Sequence, residues 1–406
     1  MTHTSSSAQP LLLTNVRPVA FAAAPAGGPL DILVGTDGCI AAVGSGLPVP
    51  AGVRQINGKG TWISPGWIDL HAHVWRGGTD VSIDPAQCGL ACGVTTIVDA
   101  GSAGEASFAG FREFIIEKSR ERVLAFLNIG SIGLVACSRV SELIDVRSID
   151  IDRTIACVNA HRDVIVGIKV RSSGSISGTW GLTALKIAKK VGKLTNLPLM
   201  VHVGEPPPLY DEVLDVVGPG DVITHCFNGK AGGSLNDDEL IELAKRCANE
   251  GVRLDIGHGA ASFSFRTAEL AIQRGLLPFS ISTDLHVRSL ERGVWDLATT
   301  MSKLLELGMP FEAMVNAVTS GPASVVGLPT QVRLEAGTKA EFTLFDLVDG
   351  RLDVVDAMGA RATLRRIVEP RWAVLGAEAL AASRLQPPPH EAPNFTCIHC
   401  GGAQKP

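Results

Sequence analysis

GWIDLHAHVW, residues 66–75, is an apolar run broken by one acid and two histidines: Asp69, His71 and His73. Buried strands are normally near-continuous in Val, Ile and Leu, and a carboxylate or imidazole among them needs a partner. Side chains alternate along a strand, so positions 69, 71 and 73 share one face. Two imidazoles on that face are aimed at one point, and a metal ion there would replace their lost hydration. An HxH pair alone is a common accident, so its meaning depends on the rest of the chain.

Outward from this run, short apolar segments alternate with helix-length intervals. After residues 66–74 come VTTIVDAG (94–101), VLAFLNIG (123–130), VIVGIKVR (164–171), LPLMVHVGE (197–205), DVITHCFNG (221–229), VRLDIGHG (252–259) and PFSISTDLH (278–286). Helical patterns fill several intervals, as in residues 181–196 and 235–251. Eight strands with helical crossovers predict an α/β chain folded as a parallel (β/α)8 TIM barrel over 66–328. Residues 1–65 and 329–380 instead carry short strand-like pieces with Gly and Pro turns. Two β-rich ends bracketing a barrel predict one small composite β-sandwich built from both. Residues 381–406 are Pro-rich and aperiodic and read as a flexible tail.

Bulk properties narrow the function. The 406 residues are 46% hydrophobic and 19% charged, with 44 glycines and a net charge of −5. That composition suits an enzyme with a large core and many tight turns. No basic stripe exists to hold nucleic acid or an anionic membrane surface. No run reaches the ~18 apolar residues of a membrane span. The first residues lack a basic segment followed by an apolar stretch and cleavage site, so a cytoplasmic location is expected. A small molecule is the expected partner, and self-association into a homo-oligomer stays open. Nine cysteines, an odd number spread along the chain, read as reduced thiols. The Cys397/Cys400 pair has zinc-knuckle spacing but no second pair to complete it.

In a (β/α)8 barrel the strands' C-terminal ends meet at the active site. Those ends carry His71 and His73 on the first strand, Lys169 on the fourth, His202 on the fifth, His225 on the sixth and Asp284 on the eighth. Each has a plain reading: a hydrogen-bonded structural histidine, a lysine paired with an acid, an aspartate capping the next helix. Six metal-competent groups at one level of one barrel are hard to obtain by chance, and the conjunction favours a metal site.

The quoted stretches around these residues, with GIKVRSS (167–173), VHVGEPP (201–207), THCFNG (224–229), DIGHGAASFSF (255–265) and STDLH (282–286), resemble the amidohydrolase superfamily of metal-dependent hydrolases. Within it the chain is most similar to the amidohydrolase/deacetylase branch, which includes acyl-mandelate esterase-like enzymes. The resemblance implies that His71, His73 and Asp284 hold one metal and His202 and His225 a second, two divalent ions expected to be zinc. It also implies that Lys169 is carboxylated by CO2 to a carbamate bridging the two. A free ammonium cannot bind a cation, whereas its carbamate is an anionic two-oxygen ligand. The metals would lower the pKa of a shared hydroxide and polarise the carbonyl, with Asp284 accepting the proton and delivering it to the leaving group. Asp69 then has two readings, as acceptor for an imidazole or as a structural acid at the barrel floor.

Glu205, three residues after His202, matches the HxxE of the superfamily's one-metal zinc deaminases, but Lys169 argues for two metals. Substrate contacts are expected from Arg171, which shares Lys169's face and suits a carboxylate, and from Asn228, His258 and His286 at strand ends. The expected reaction is hydrolysis of an acyl ester or amide in an acylated α-hydroxy or α-amino acid. The rivals are a cyclic amidase of the dihydroorotase or hydantoinase kind, a mononuclear deaminase using Glu205, and a catalytically dead scaffold. Scaffolds of that kind lose metal ligands, and this chain keeps all six.

Overall fold

The structure, a computed structural model, describes residues 9–25 and 28–385. Seven strands form one parallel sheet, each beside its sequence neighbour: β1 (Trp67–Ala72), β2 (Val94–Gly104), β3 (Arg122–Asn128), β4 (Ile165–Ser172), β5 (Leu199–Val203), β6 (Val222–Thr224) and β7 (Arg253–Asp255). Crossover helices bury one stripe and expose the other. In Thr183–Thr195 the buried positions are Ala184, Leu185, Ala188, Val191, Gly192 and Thr195, the 3.6-residue spacing of a helix on a sheet. Asp237 starts Asp238–Asn249 by accepting from the Leu240 amide at 2.8 Å, a cap worth about 1 kcal/mol.

The eighth run departs from the predicted strand. It makes no ladder of its own; single parallel bridges, Ser280 to Asp255 and Leu285 to Ala72, span the gap from β7 to β1 and close the barrel. Hydroxyl-bearing residues compete for backbone conformation by bonding locally or to side chains, and Ser280, Ser282 and Thr283 all bond buried carboxylates. The seam is therefore held by side chains as much as by backbone.

Both chain ends build the other sheet, in the order Glu378–Ala381, Arg361–Leu375, Glu341–Val355, Trp62–Pro65, Leu11–Pro18, Leu30–Val34, Ile40–Gly44, with Arg54–Asn57 also on Leu11–Pro18. Leu11, Leu13, Ile32 and Val34 from one end share a core with Phe342, Leu344 and Val374 from the other. The long hairpin then reaches the barrel, where Phe345 packs 5.2 Å from Trp67 between ring centroids. Within the segment expected as a tail, Ala382, Ser383 and Leu385 donate backbone N–H groups to Arg371 O, Ala91 O and Asp296 Oδ2. Residues 386–406, Cys397 and Cys400 among them, lie outside the described residues. No helix among the described residues is long and apolar enough to cross a membrane.

Candidate metal centre

The strand-end groups named from the sequence converge. One ligand atom each from His71, His73 and Asp284 lie within 4.8 Å of one another. Asp284 Oδ1 is 3.4 Å from His71 Nε2 and 3.1 Å from His73 Nε2. The His225 ring centroid lies 5.1 Å from that of His71, and the His202 ring lies 4.4 Å from that of His225. Lys169 is buried, with Nζ 3.3 Å from His71 Nε2. Two backbone positions make room. At Gly101, with φ +89°, a Cβ would sit 2.8 Å from the Lys169 stem; at Gly257, with φ +48°, it would meet Thr224 Oγ1 at 2.2 Å and His225 Nδ1 at 2.8 Å. His225 and Asp284 adopt left-handed φ values of 67° and 50°. That strain costs on the order of 1–3 kcal/mol each and is typical of residues positioned for function.

Three of the imidazoles are oriented through Nδ1. His71 Nδ1 lies 2.8 Å from Thr224 Oγ1, whose own proton goes to Asp255 Oδ2 at 2.7 Å. His73 Nδ1 meets Ser102 Oγ at 3.0 Å, and His225 Nδ1 meets Gly257 O at 2.6 Å. These partners leave Nε2 of His71 and His225 as lone-pair donors, the arrangement of metal-binding histidines. Burial pushes the pKa of His71 and His202 well below the ordinary histidine value and that of His225 to about 3, so these rings are neutral. Burial also pushes Lys169 down to about 7. Burial alone would raise the pKa of Asp284, while the charge of a protonated His71 and the His73 hydrogen bond would bring it well below the usual carboxylate range; with His71 neutral, a cation between them would do that work. His202 Nε2 is buried with no hydrogen-bond partner. A buried orphan nitrogen, neutral imidazoles and a carboxylate fit a divalent cation.

Other residues named from the sequence have different work. Asp69 does not hold an imidazole; its carboxylate accepts from Thr283 N at 3.0 Å and Thr283 Oγ1 at 2.5 Å, clamping the eighth segment to β1. Burial raises its pKa to about 7. Arg171 is not presented to the barrel mouth as an open fork: its Nε donates to Glu142 at 2.7 Å and a terminal nitrogen to the other Glu142 oxygen. Asn228 is spent on its own turn, donating to His225 O and Gly233 O and accepting from the Lys230 amide. His258 is likewise consumed, with Nδ1 on Gly259 O, Nε2 2.8 Å from Lys303 Nζ and the ring stacked on Phe263. His286 stays at the site, Nδ1 on Asp284 O at 2.7 Å and its ring 6.2 Å from that of His73.

Thr224, Ser102, Asp255 and Glu142 went unread in the sequence. Asp255 carried a signal, an acid at the end of an apolar strand. The two hydroxyls carried none, because Ser and Thr at a strand end are unremarkable until the fold puts an imidazole beside them.

Arg171→Met tests the Glu142 pair. The Glu142 side chain is fully buried and that of Arg171 is 12% exposed. Removing the cation strands a buried carboxylate, so unfolding free energy in denaturant should fall by about 3–5 kcal/mol. Any KM change should be equal for acidic substrates and their methyl esters. A selective loss for the acids, with stability intact, would make Arg171 a substrate anchor.

A deacetylase of Brucella anthropi is 61% identical over 381 residues, 94% of this chain and 95% of its own. A deacetylase of Agrobacterium fabrum is 62% identical over 379 residues, 93% of each. Among solved structures, one described as a dihydroorotase matches with a TM-score of 0.90 at 60% identity, covering 94% of this chain and 100% of its own. One described as an adenine deaminase matches with a TM-score of 0.83 at 33% identity, covering 91% and 99%. Residues 62–375 match the amidohydrolase family, from the last strand before the barrel to the long hairpin behind it. On that match and these relatives the chain belongs to the amidohydrolase family and is a metal-dependent hydrolytic enzyme.

Proposed function

We propose that this enzyme is a two-metal hydrolase that cleaves the acyl ester or amide bond of an acylated α-hydroxy or α-amino acid. The observation that carries the proposal is Lys169, a buried amine 3.3 Å from His71 Nε2 at the centre of the ligand set. A one-metal centre has no use for a lysine there, while two metals need an anionic bridge. With its pKa lowered to about 7 by burial, much of the amine is unprotonated near neutrality. The nitrogen lone pair attacks CO2, and the N–C bond forms with loss of a proton, giving a carbamate. His71, His73 and Asp284 would hold one ion, His202 and His225 the other, and Lys169 both. Such ions, when bound, polarise the scissile carbonyl and lower the pKa of water. Asp284 supplies the proton relay: its ionised carboxylate takes a proton from the attacking water and returns it to the leaving oxygen or nitrogen. His73 Nε2 lies 3.1 Å from that carboxylate, and His286 Nδ1 lies 2.7 Å from the Asp284 backbone oxygen.

The hydrolytic reading is supported by the two deacetylase relatives above 60% identity. Glu205 weighs against the deaminase. Burial would raise its pKa, but the Lys230 ammonium 2.7 Å away and the hydroxyls of Ser173 and Ser175 bring it below the ordinary glutamate value. A carboxylate so held has no proton to give to a ring at neutral pH. Glu205→Gln should therefore lower kcat by less than about tenfold, against the 10²–10⁴-fold expected for a lost acid. The substrate class is tested by a stereo-paired screen of O-acyl and N-acyl acids against cyclic amides. Acyclic acyl acids should give the higher kcat/KM; faster opening of cyclic amides would overturn that assignment in favour of a cyclic amidase.

A further inference from the structure

Asp255, the last residue of β7, is fully buried and is not a ligand in the scheme above. Three hydroxyls converge on its carboxylate: Ser280 Oγ on Oδ1 at 2.6 Å, and Ser282 Oγ and Thr224 Oγ1 on Oδ2, each at 2.7 Å. A buried acid is costly to keep, and this one carries as many donors as a structural clamp would need. Its partners lead to two different candidate ligands. Thr224 has one proton, which goes to Asp255, so its oxygen can only accept from His71 Nδ1–H. The network thereby assigns the His71 tautomer and points the Nε2 lone pair at Asp284. Ser280 and Ser282 belong to the seam that has no ladder, four and two residues before Asp284, where φ is +50°. His258 N and Gly259 N, just beyond Asp255, complete the grip by donating to Ser282 O and Thr283 O.

We propose that Asp255 is a positioning residue that fixes the tautomer of His71 through Thr224 and holds the Asp284 segment through Ser280 and Ser282, so that one buried carboxylate sets two ligands of the same metal. The consequence is distinct from that of Asp69, the other buried acid on this seam, which bonds the backbone and hydroxyl of Thr283 and touches no imidazole ring. Losing Asp69 loosens the seam and a bond to the His71 backbone N–H but leaves the ring's proton in place, whereas losing the Asp255 relay frees the His71 ring to take the opposite tautomer. The proposal rests on His71 being a metal ligand.

The test is zinc affinity, measured by competition with a chelator on the full chain, so that it does not depend on turnover. Thr224→Val keeps the shape and removes the relay oxygen; the first zinc should bind about 10–100-fold more weakly, the usual scale for losing an outer hydrogen-bond partner. Thr224→Ser should recover most of that loss, and Ser280→Ala with Ser282→Ala should also weaken zinc binding. Asp255→Asn should match Thr224→Val or exceed it, and Thr224→Val decides the matter if the Asn variant fails to fold. His71→Ala is the control. If it loses zinc while Thr224→Val binds as wild type, the relay is wrong and the metal site stands. If His71→Ala itself binds zinc as wild type, the ligand assignment falls and the proposal with it.

Discussion

Lys169→Ala should lose metal and activity together while keeping its fold. The side chain is buried at the centre of the ligand set with its stem against Gly101, and the proposed bridge is built on its nitrogen. Without the bridge, several kcal/mol of transition-state stabilisation disappears, which at 1.36 kcal/mol per decade is about 10³-fold or more in kcat/KM. Far-UV circular dichroism should change little, because the amine's hydrogen-bond contact among the described residues is to His71 Nε2 alone and ties no strand to another through the backbone. Short carboxylic acids such as acetate or propionate should restore part of both metal content and turnover, since they fit the vacated position and supply the same two oxygens. Full activity in the variant without any additive would end the two-metal account. Retained metal with lost activity would instead make Lys169 a group that acts on substrate.

Asp284→Asn should lower kcat by about 10²–10⁴-fold, the scale for removing an acid–base group, compounded by any metal lost. The amide keeps the size and one oxygen but cannot take up a proton. In the wild type the low pKa of Asp284 means that its carboxylate form persists as pH falls, so the acidic limb of the kcat/KM profile should not follow an ordinary aspartate titration. Removing Asp284 should flatten whatever part of that limb it governs. An Asn variant with most of its kcat would move the proton relay elsewhere, with His286, bonded to the Asp284 backbone oxygen, the first place to look.

The barrel and the gathering of its strand-end histidines, lysine and aspartate were legible because both are written in local pattern. Apolar runs at regular intervals predict strands, and a charged or imidazole side chain at the end of such a run has few structural uses. The eighth element was misread for the same reason: PFSISTDLH looks apolar enough for a strand, but its hydroxyls answer to Asp69, 214 positions away on the chain, and to Asp255, 25 and 27 positions away, which periodicity cannot sense. Arg171 illustrates the limit for substrate contacts. Its place two residues after Lys169 was right, yet Glu142, 29 residues earlier in a loop, claims its guanidinium. Asn228 and His258 sit where predicted, but their polar atoms are consumed by neighbours one to forty-five residues away. Which polar atoms remain for a substrate depends on loop packing, and loop packing has no period.

The central claim, two ions joined through Lys169, is tested most directly by counting them. Protein produced with zinc and bicarbonate, freed of loosely bound ions and analysed by elemental mass spectrometry, should carry close to two metals per chain, falling in parallel with activity when Lys169 is replaced. A value near one, unmoved by added zinc or bicarbonate and indifferent to Lys169, would contradict the account and leave a single ion at His71, His73 and Asp284.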